Sequence, residues 1–221
     1  MIKKKIIIIV GANGFIGRNL IYESLKRDFF TIGLYRKKSL NLSDKIFDKL
    51  NLVKYEDKFD LDEVISEIKS FKLPNNCELF LIHASGPAHK KNISESEFKS
   101  GIVKSAIFFA KLARNINANF IYLSSISARE HENKKRSHVE IYGKHKLFAE
   151  KAIKNIFSKN LKALVILRLP AVWGKNAPGS FRLIEKLISI KIPLPIKSIR
   201  NKRSYISINF LCNNIFEIID N

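Results

Sequence analysis

The feature that most constrains the fold is a strand-like apolar run that ends in three glycines spaced three residues apart. The run occupies residues 6–10, and Gly11, Gly14 and Gly17 follow it before a helical apolar pattern begins. In this arrangement the first glycine permits a sharp turn, the second lets the backbone approach a pyrophosphate, and the third allows close helix–sheet packing. We therefore predict a dinucleotide phosphate site at the helix N-terminus; the alternative is a tight strand-to-helix turn that binds nothing.

Length and composition indicate one large domain, or one domain with a small appendage: the chain has 221 residues, of which 46% are hydrophobic. Cys77 and Cys212 have neither disulfide nor metal-ligand spacing, so we expect no metal site and a cytoplasmic location. Lysines at 3–5 precede an apolar run that is too short for a signal peptide and leads directly into the glycines. No stretch approaches the roughly 20 apolar residues of a membrane span.

The net charge of +20, from 40 basic and 20 acidic residues, would attract nucleic acid or phosphorylated small molecules. The lysines are nevertheless scattered through a chain that is rich in Lys, Ile and Asn throughout. Compositional drift explains this pattern better than a dedicated nucleic-acid surface does. A nucleic-acid partner is therefore not favoured, although it stays open as an alternative.

Apolar strand-like runs alternate with helical patterns, which favours βαβ units and a parallel sheet. The predicted strands are 5–10, 29–35, 50–55, 78–83, 118–124 and 162–168, and the predicted helices are 15–27, 61–70, 95–116, 139–158 and 180–190. After Arg168 the alternation becomes irregular and prolines are frequent. We predict an α/β fold with a Rossmann-like, doubly wound parallel sheet over residues 1–168. A short substrate-facing extension, with a small strand near 204–208, would occupy residues 169–221.

The end of the second strand bears on the choice of cofactor. Folds of this type usually place an acidic residue there to hold the adenine ribose, but this chain has Arg36, Lys37 and Lys38. Arg36 can bind the 2′-phosphate of NADP bidentately, so NADP is slightly favoured over NAD; a solvated basic cluster is the alternative. Asp57, after the third strand, is the candidate partner of the adenine, with Asp60 as the other possibility.

A second group of residues carries acid–base chemistry. The strand that begins near residue 118 ends in two hydroxyls, the second of which is Ser125, and Tyr142 and Lys146 are spaced i, i+4 on a predicted helix. An ammonium beside a phenol stabilises the phenolate and lowers its pKa, which would make Tyr142 a usable general acid and base. Ser125 could then hold the substrate oxygen while a nicotinamide exchanges the hydride.

The spacing alone is not specific, because Tyr22 and Lys26 show the same pattern within the first predicted helix. Those two residues are expected to lie on a helix surface. Tyr142 differs in that it follows a strand that ends in serines, at the side of the sheet where open α/β folds bind their ligands.

Taken together, these segments resemble the extended short-chain dehydrogenase/reductase family, in particular its sugar-nucleotide epimerase, dehydratase and reductase branch. The resemblance covers nearly the whole chain in order. It rests on Gly11-x-x-Gly14-x-x-Gly17, residues 82–88, residues 123–125, Tyr142-x-x-x-Lys146, residues 167–174 and residues 201–207.

The resemblance implies a role for each matching residue. Ser125 would hold the substrate C4 oxygen, Tyr142 would be the acid and base, and Lys146 would bind the nicotinamide ribose and tune Tyr142. Ser180 would meet the uracil or phosphate of a UDP-sugar, unless it only caps a helix, and Arg203 would pair with the diphosphate, unless it is a surface cation. The residues implied to contact the cofactor are Gly11, Asn13, Gly14, Phe15, Ile16, Gly17, Arg36, Asp57, Ala84, Ser85, Gly86, Tyr142, Lys146, Pro170 and Val172.

The implied reaction is hydride transfer at C4 of a nucleotide-linked sugar, with UDP as the expected carrier. Ser125-Ile-Ser stands where 4,6-dehydratases typically carry Thr-Asp-Glu, so a dehydratase is disfavoured, while epimerase and reductase stay open. The resemblance is to a subgroup of bacterial surface-polysaccharide enzymes. Family members often form homodimers through two helices, which here would be 95–116 and 139–158; the alternative is that the apolar faces of these helices belong to the core.

The alternative is a catalytically impaired nucleotide-binding or RNA-associated protein of the same fold. The observations that favour this alternative are the positive charge, the short extension, and Gly101 at a position where the family usually has Asn.

Overall fold

The computed structural model of the protein describes residues 3–36, 50–55, 60–74, 76–87, 94–132, 140–191 and 202–221. The strands are β1 (Lys4–Val10), β2 (Phe30–Tyr35), β3 (Leu50–Lys54), β4 (Cys77–His83), β5 (Asn119–Ser125), β6 (Leu164–Leu169), β7 (Ala171–Trp173) and β8 (Tyr205–Ser207). The helices are α1 (Phe15–Lys26), α2 (Leu61–Ser70), α3 (Glu95–Phe98), α4 (Ser105–Asn115), α5 (Ile126–Glu132), α6 (Glu140–Ile156), α7 (Ser180–Ser189) and α8 (Ile208–Asp220).

Six strands form one sheet in the order β3-β2-β1-β4-β5-β6, and every pair in it is parallel. The chain starts at the central strand β1 and adds β2 and β3 on one side. It then crosses back to β4, on the other side of β1, and continues outward to β5 and β6. This doubly wound, Rossmann-like arrangement confirms the fold predicted from the alternation of strands and helices. All six predicted strands are present, and their ends differ from the prediction by at most two residues.

The central strand β1 explains why the sheet is covered on both sides. Its residues Ile6, Ile8 and Val10 are buried in one core cluster, and Ile7 and Ile9 are buried in another. Successive side chains on a strand point to opposite faces, so a continuous apolar run requires helices on each face. The first cluster is closed by α2, α4 and α6, and the second by α1 and α8.

Two helical segments differ from the sequence prediction. The single helix expected over 95–116 consists of α3, a π-helical turn at Lys99–Lys104, and α4. The charged interval 129–137, expected to be a loop, begins within α5, because the backbone turns into a helix immediately after β5. The Ser125 hydroxyl accepts a hydrogen bond from the Ser127 N–H (3.2 Å) and so stabilises that start.

The C-terminal helix α8 was not predicted. Its Leu211, Ile215 and Phe216 are buried in the same cluster as α1, and Phe216 stacks on Phe29 with ring centroids 5.7 Å apart. This helix therefore packs on the main sheet, whereas β7 and β8 form a separate two-stranded parallel sheet. The domain boundary at residue 168 stays a prediction. No helix within the described ranges is long and apolar enough to cross a membrane.

Close approach of α1 to the end of β1 sets the geometry of the glycine turn. A Cβ on Gly17 would lie 2.1 Å from the carbonyl oxygen of Gly11 and 2.8 Å from its carbonyl carbon. No side-chain rotation relieves such a contact, because both partners are backbone. The prediction that Gly17 permits close packing is thus consistent with the structure.

We expect Gly17→Ala to lower the free energy of unfolding by about 1–3 kcal/mol, because the helix must move away from β1. Urea denaturation measures the change. Gly101→Ala is the matched control: there the new Cβ meets only the Pro87 side chain, at 3.1 Å, and the ring can give way. Equal losses in the two variants would contradict this account of the packing.

Candidate active site

A cleft of about 410 Å³ lies at the carboxyl end of the sheet, where the loops after β1, β4, β5 and β6 meet. It brings together many of the residues singled out in the sequence: Ile16, Ala84, Ser85, Gly86, Ser125, Tyr142, Lys146, Pro170 and Arg203. Open α/β sheets bind their ligands at this edge, so the cleft is the candidate active site.

The glycine turn at the cleft has the shape that a dinucleotide phosphate requires. Gly11 has a φ of +85°, and its N–H donates to the Leu34 carbonyl at 3.1 Å. Gly14 occupies the N-cap of α1 and donates to the Gly11 carbonyl at 2.8 Å. Because Gly14 has no side chain with which to cap the helix, the first-turn N–H groups stay open to an anion.

The loop after β4 forms the opposite wall of this turn. A Cβ on Gly11 would lie 3.0 Å from the backbone N and Cα of Ser85, so the two loops are in direct contact. The Ala84 N–H donates to the Val10 carbonyl at 3.0 Å, which continues the β1–β4 pairing into the loop. The residues thus fit a dinucleotide cofactor, whose phosphates the backbone N–H groups at the start of α1 would hold.

Ser125, Tyr142 and Lys146 meet in the cleft as the sequence predicted. Tyr142 is hydrogen-bonded to Ser125. The Lys146 ammonium donates to the Leu123 carbonyl at 2.8 Å, and it lies 6.0 Å from the centroid of the Tyr142 ring. The i, i+4 spacing therefore places the phenol and the ammonium on one face of α6, and that face is directed at the end of β5.

The expected lowering of the Tyr142 pKa is wrong for this arrangement. Burial raises the pKa of Tyr142 to about 12, and the hydrogen bond with Ser125 lowers it only in part. Burial also lowers the pKa of Lys146 to about 8, opposed by the negative charge of Glu150. Desolvation outweighs the attraction between phenolate and ammonium that the spacing suggested, because both groups are withdrawn from water.

Glu150 and His83, which the sequence analysis did not single out, lie directly behind the cleft. Glu150 is buried and accepts hydrogen bonds from Ser124 and from the guanidinium of Arg168. Glu150 stands one helical turn beyond Lys146, so an i, i+4, i+8 pattern of Tyr142, Lys146 and Glu150 was the signal that could have found it.

A buried histidine also stands behind the loop after β4. The Nε2 of His83 lies 3.1 Å from the Ser105 hydroxyl, which in turn is 3.5 Å from the Ser85 hydroxyl in the cleft. The aromatic rings of Phe109, Phe120 and Tyr122 surround His83. Burial lowers the pKa of His83 to about 3, so the ring is neutral at physiological pH.

Other predicted site residues lie outside the cleft lining. Asn13 and Phe15 line a neighbouring pocket with Arg18 and Lys175. Val172 is half-buried in β7, where it pairs with Ile206.

Two further predictions concern residues at the ends of elements. Gly179 takes the N-cap of α7, so Ser180 is the first helical residue rather than the cap. Arg36 is exposed at the end of β2. Lys37, Lys38 and Asp57 lie outside the described residues. Asp60, the alternative to Asp57, caps α2 by accepting from the N–H groups of Asp62 and Glu63.

A sequence model of the NAD-dependent epimerase/dehydratase family matches residues 7–209. The chain belongs to this family. Its motif-based identification as an NAD(P)-dependent enzyme of the extended short-chain dehydrogenase type is thereby confirmed.

Relatives with known names support the same assignment. A Vibrio cholerae protein named UDP-glucose 4-epimerase is 27% identical over 234 residues, covering 98% of this chain and 67% of that protein. The Bordetella bronchiseptica enzyme WbmH, solved in complex with NAD+, has a TM-score of 0.72 at 16% identity, covering 99% of this chain and 73% of that one. UDP-N-acetylglucosamine 4-epimerase from Bacillus cereus has a TM-score of 0.70 at 18% identity, covering 97% and 71%. The structural likenesses establish the shared fold.

The burial of His83 predicts acid sensitivity. The folded protein keeps this ring neutral down to about pH 3, whereas the unfolded chain protonates it near 6.5, so stability is lost as pH falls between these values. From pH 7 to pH 5 this group should cost about 2 kcal/mol of unfolding free energy. We therefore expect the decrease in unfolding free energy from pH 7 to pH 5 to be smaller by this amount in His83→Phe than in the wild type. Urea denaturation of both proteins at the two pH values measures it.

Phe109→Leu is the control, because it alters the same aromatic cluster without removing a titrating group. It should lower the unfolding free energy by the same amount at pH 7 and at pH 5. A pH dependence in His83→Phe equal to that of the wild type would refute the role assigned to this histidine.

Proposed function

We propose that the protein is an NAD(P)-dependent sugar-nucleotide 4-epimerase that acts on a UDP-linked sugar. The observation that carries the proposal is the convergence of Ser125, Tyr142 and Lys146 in one cleft with the glycine turn. The names of the Vibrio cholerae relative and of the Bacillus cereus structure favour 4-epimerisation and a UDP carrier. A 4-keto-sugar reductase is the second candidate, favoured by the exposed Arg36 at the end of β2.

Each residue of the cleft has a distinct task in this reaction. In its phenolate form, Tyr142 accepts the proton of the C4 hydroxyl as the C4–H bond breaks, and the resulting phenol later returns that proton to the C4 oxygen. Ser125, hydrogen-bonded to Tyr142, holds that oxygen in line with the phenol. When bound, the nicotinamide would accept the C4 hydride and give it back to the other face of the 4-keto sugar, so no net oxidation results.

Charge in the cleft has to counter the burial of Tyr142. At neutral pH the phenol is protonated, since its pKa is about 12, and it is therefore set as the donor to the C4 oxygen. Its work as a base needs a positive charge nearby, and the Lys146 ammonium, 6.0 Å from the ring centroid, supplies one. Arg203, at the rim of the same cleft, would pair with the diphosphate of the substrate.

The setting of the enzyme is part of the proposal. We place it in the cytoplasm, in bacterial surface-polysaccharide synthesis, on the strength of the motif resemblance; both cysteines are free thiols. A homodimer through α4 and α6 is supported by the exposed apolar side chains of Ile141 and Phe148 on α6.

We expect Tyr142→Phe to lower the turnover of UDP-glucose to UDP-galactose by at least about 100-fold, because the proton relay at C4 is lost. Affinity for NAD+ should stay nearly unchanged, and isothermal titration calorimetry measures it. Tyr22→Phe is the matched control, since Tyr22 belongs to the second Tyr-x-x-x-Lys pattern and is 54% exposed on α1. Unchanged turnover in Tyr142→Phe would eliminate the proposed mechanism.

The assignment of Arg36 to the 2′-phosphate can be tested separately. We expect Arg36→Ala to weaken NADPH binding about tenfold or more while NADH binding stays constant, because a charge-assisted contact is removed. Titration calorimetry with both cofactors compares the two affinities. Lys26→Ala, an exposed cation at the end of α1, should change neither. Equal losses for NADPH and NADH in Arg36→Ala would show that the basic cluster does not select the cofactor.

A further inference from the structure

A buried carboxylate links the catalytic helix to two strands of the sheet. Glu150 on α6 is 2% exposed, and its Oε2 accepts from Arg168 Nη2 at 2.7 Å and from Nε at 3.1 Å. Its Oε1 accepts from Arg168 Nε at 3.0 Å and from the Ser124 hydroxyl. Every bond of this clamp therefore involves an ionised partner or a buried hydroxyl, which makes each one strong and directional.

The two partners of Glu150 are neighbours in the sheet. Ser124 on β5 and Arg168 on β6 are register partners, so one carboxylate fastens α6 to both strands at their carboxyl ends. Ser125, the next residue on β5, is hydrogen-bonded to Tyr142, and Pro170 lines the cleft two residues after Arg168. The clamp thus fixes the parts of the cleft that carry the acid–base group and its oxygen-binding partner.

Glu150 also stands one helical turn from Lys146, on the same face of α6. The residue Lys146 is 5% exposed. Its ammonium donates to the Leu123 carbonyl and lies 4.8 Å from the centroid of the Tyr122 ring. A buried ammonium is costly unless a negative charge balances it. Within the described residues Glu150 is the carboxylate that interacts with Lys146, and Arg168 competes for it.

We propose that Glu150 is a positioning residue, which with Arg168 and Ser124 holds the Lys146 side chain charged and directed at Tyr142. The proposal rests on the proposed function for the role of Tyr142, but its structural content does not depend on the substrate. Glu150 touches neither the cleft nor the reacting atoms, so it acts through Lys146.

Titratable and charged groups from several elements lie around Lys146 or around its partner Glu150. These are Tyr142 and Glu150 on α6, Tyr122 on β5, Arg168 on β6 and His83 on β4. Of these, His83 is neutral, and Tyr122 and Tyr142 are protonated, at neutral pH. Glu150 and Arg168 are therefore the two ionised neighbours whose removal should change the titration of Lys146, and they should do so in opposite directions.

Carbon-13 NMR of protein labelled at the lysine Cε follows the titration directly, and the signal of Lys146 is identified by its loss in Lys146→Arg. In the wild type we expect a pKa of about 8. Glu150→Gln should lower that pKa by about one unit or more, because the balancing charge is gone. Arg168→Gln should raise it, because a repelling charge and a competitor for Glu150 are removed together.

Opposite shifts cannot come from general loosening of the fold, which would move both titrations toward the value of an exposed lysine. Two upward shifts, or no shift in either variant, would overturn the proposal. Should Glu150→Gln fail to fold, Arg168→Gln and the charge-conserving Glu150→Asp, expected to titrate as the wild type does, still decide it. Glu67→Gln, an exposed carboxyl on α2, is the matched control and should leave Lys146 unchanged.

Turnover gives an independent second measurement. Where the wild type converts UDP-glucose, the alkaline limb of its pH–kcat profile should move to lower pH in Glu150→Gln and to higher pH in Arg168→Gln. KM should stay nearly constant, because neither residue lines the cleft. A wild type that turns over no UDP-sugar would count against the proposed function alone, because the NMR titration does not use a substrate.

Discussion

The rest of the structure depends on how closely the backbone of α1 approaches the end of β1. A Cβ on Gly17 would lie only 2.1 Å from the carbonyl oxygen of Gly11, which shows that the helix starts directly on the turn. This contact directs the first-turn N–H groups of α1 toward the cleft and brings the loop after β4 against Gly11. A helix displaced by one methyl group would separate α1 from the Gly11 turn, so the glycines define the side of the cleft where we expect the cofactor.

The sequence was sufficient for the sheet because parallel strands buried on both faces are continuous apolar runs, and β1 with its isoleucines is the clearest case. It was insufficient where tertiary contacts decide. The segment of α5 is strongly charged, and its helix starts from the Ser125 hydroxyl rather than from a periodic apolar face. Helix α8 follows a proline-rich stretch, and its apolar face becomes recognisable only once α1 and the sheet are in place to cover it.

The candidate site was predictable in its members and unpredictable in its electrostatics. Spacing alone placed Tyr142 and Lys146 on one helical face, and the structure brings both to Ser125. Spacing does not reveal how far each group is withdrawn from water, and burial shifts the pKa of Tyr142 upward and that of Lys146 downward. Glu150 was not predicted for a similar reason, because an acidic residue late in a helix is usually solvated. Only the fold shows that it is hydrogen-bonded to Arg168 and Ser124.

The buried charged groups behind the cleft lower the stability of the fold relative to apolar side chains of similar size. A well-packed apolar set in place of Glu150, Arg168 and Lys146 would be at least as stable, because burying charges consumes most of what their pairing returns. Their position is what distinguishes them: Lys146 and Glu150 belong to the helix that carries Tyr142, and Arg168 to the strand that leads into Pro170. In the proposed reaction, the chemistry at C4 would therefore depend on residues up to about 170, all of which belong to or adjoin the main sheet and its helices. Recognition of the sugar and its nucleotide would then be left to Arg203 and the elements after β6, so that the proposed proton relay and the proposed substrate specificity reside in different parts of the chain.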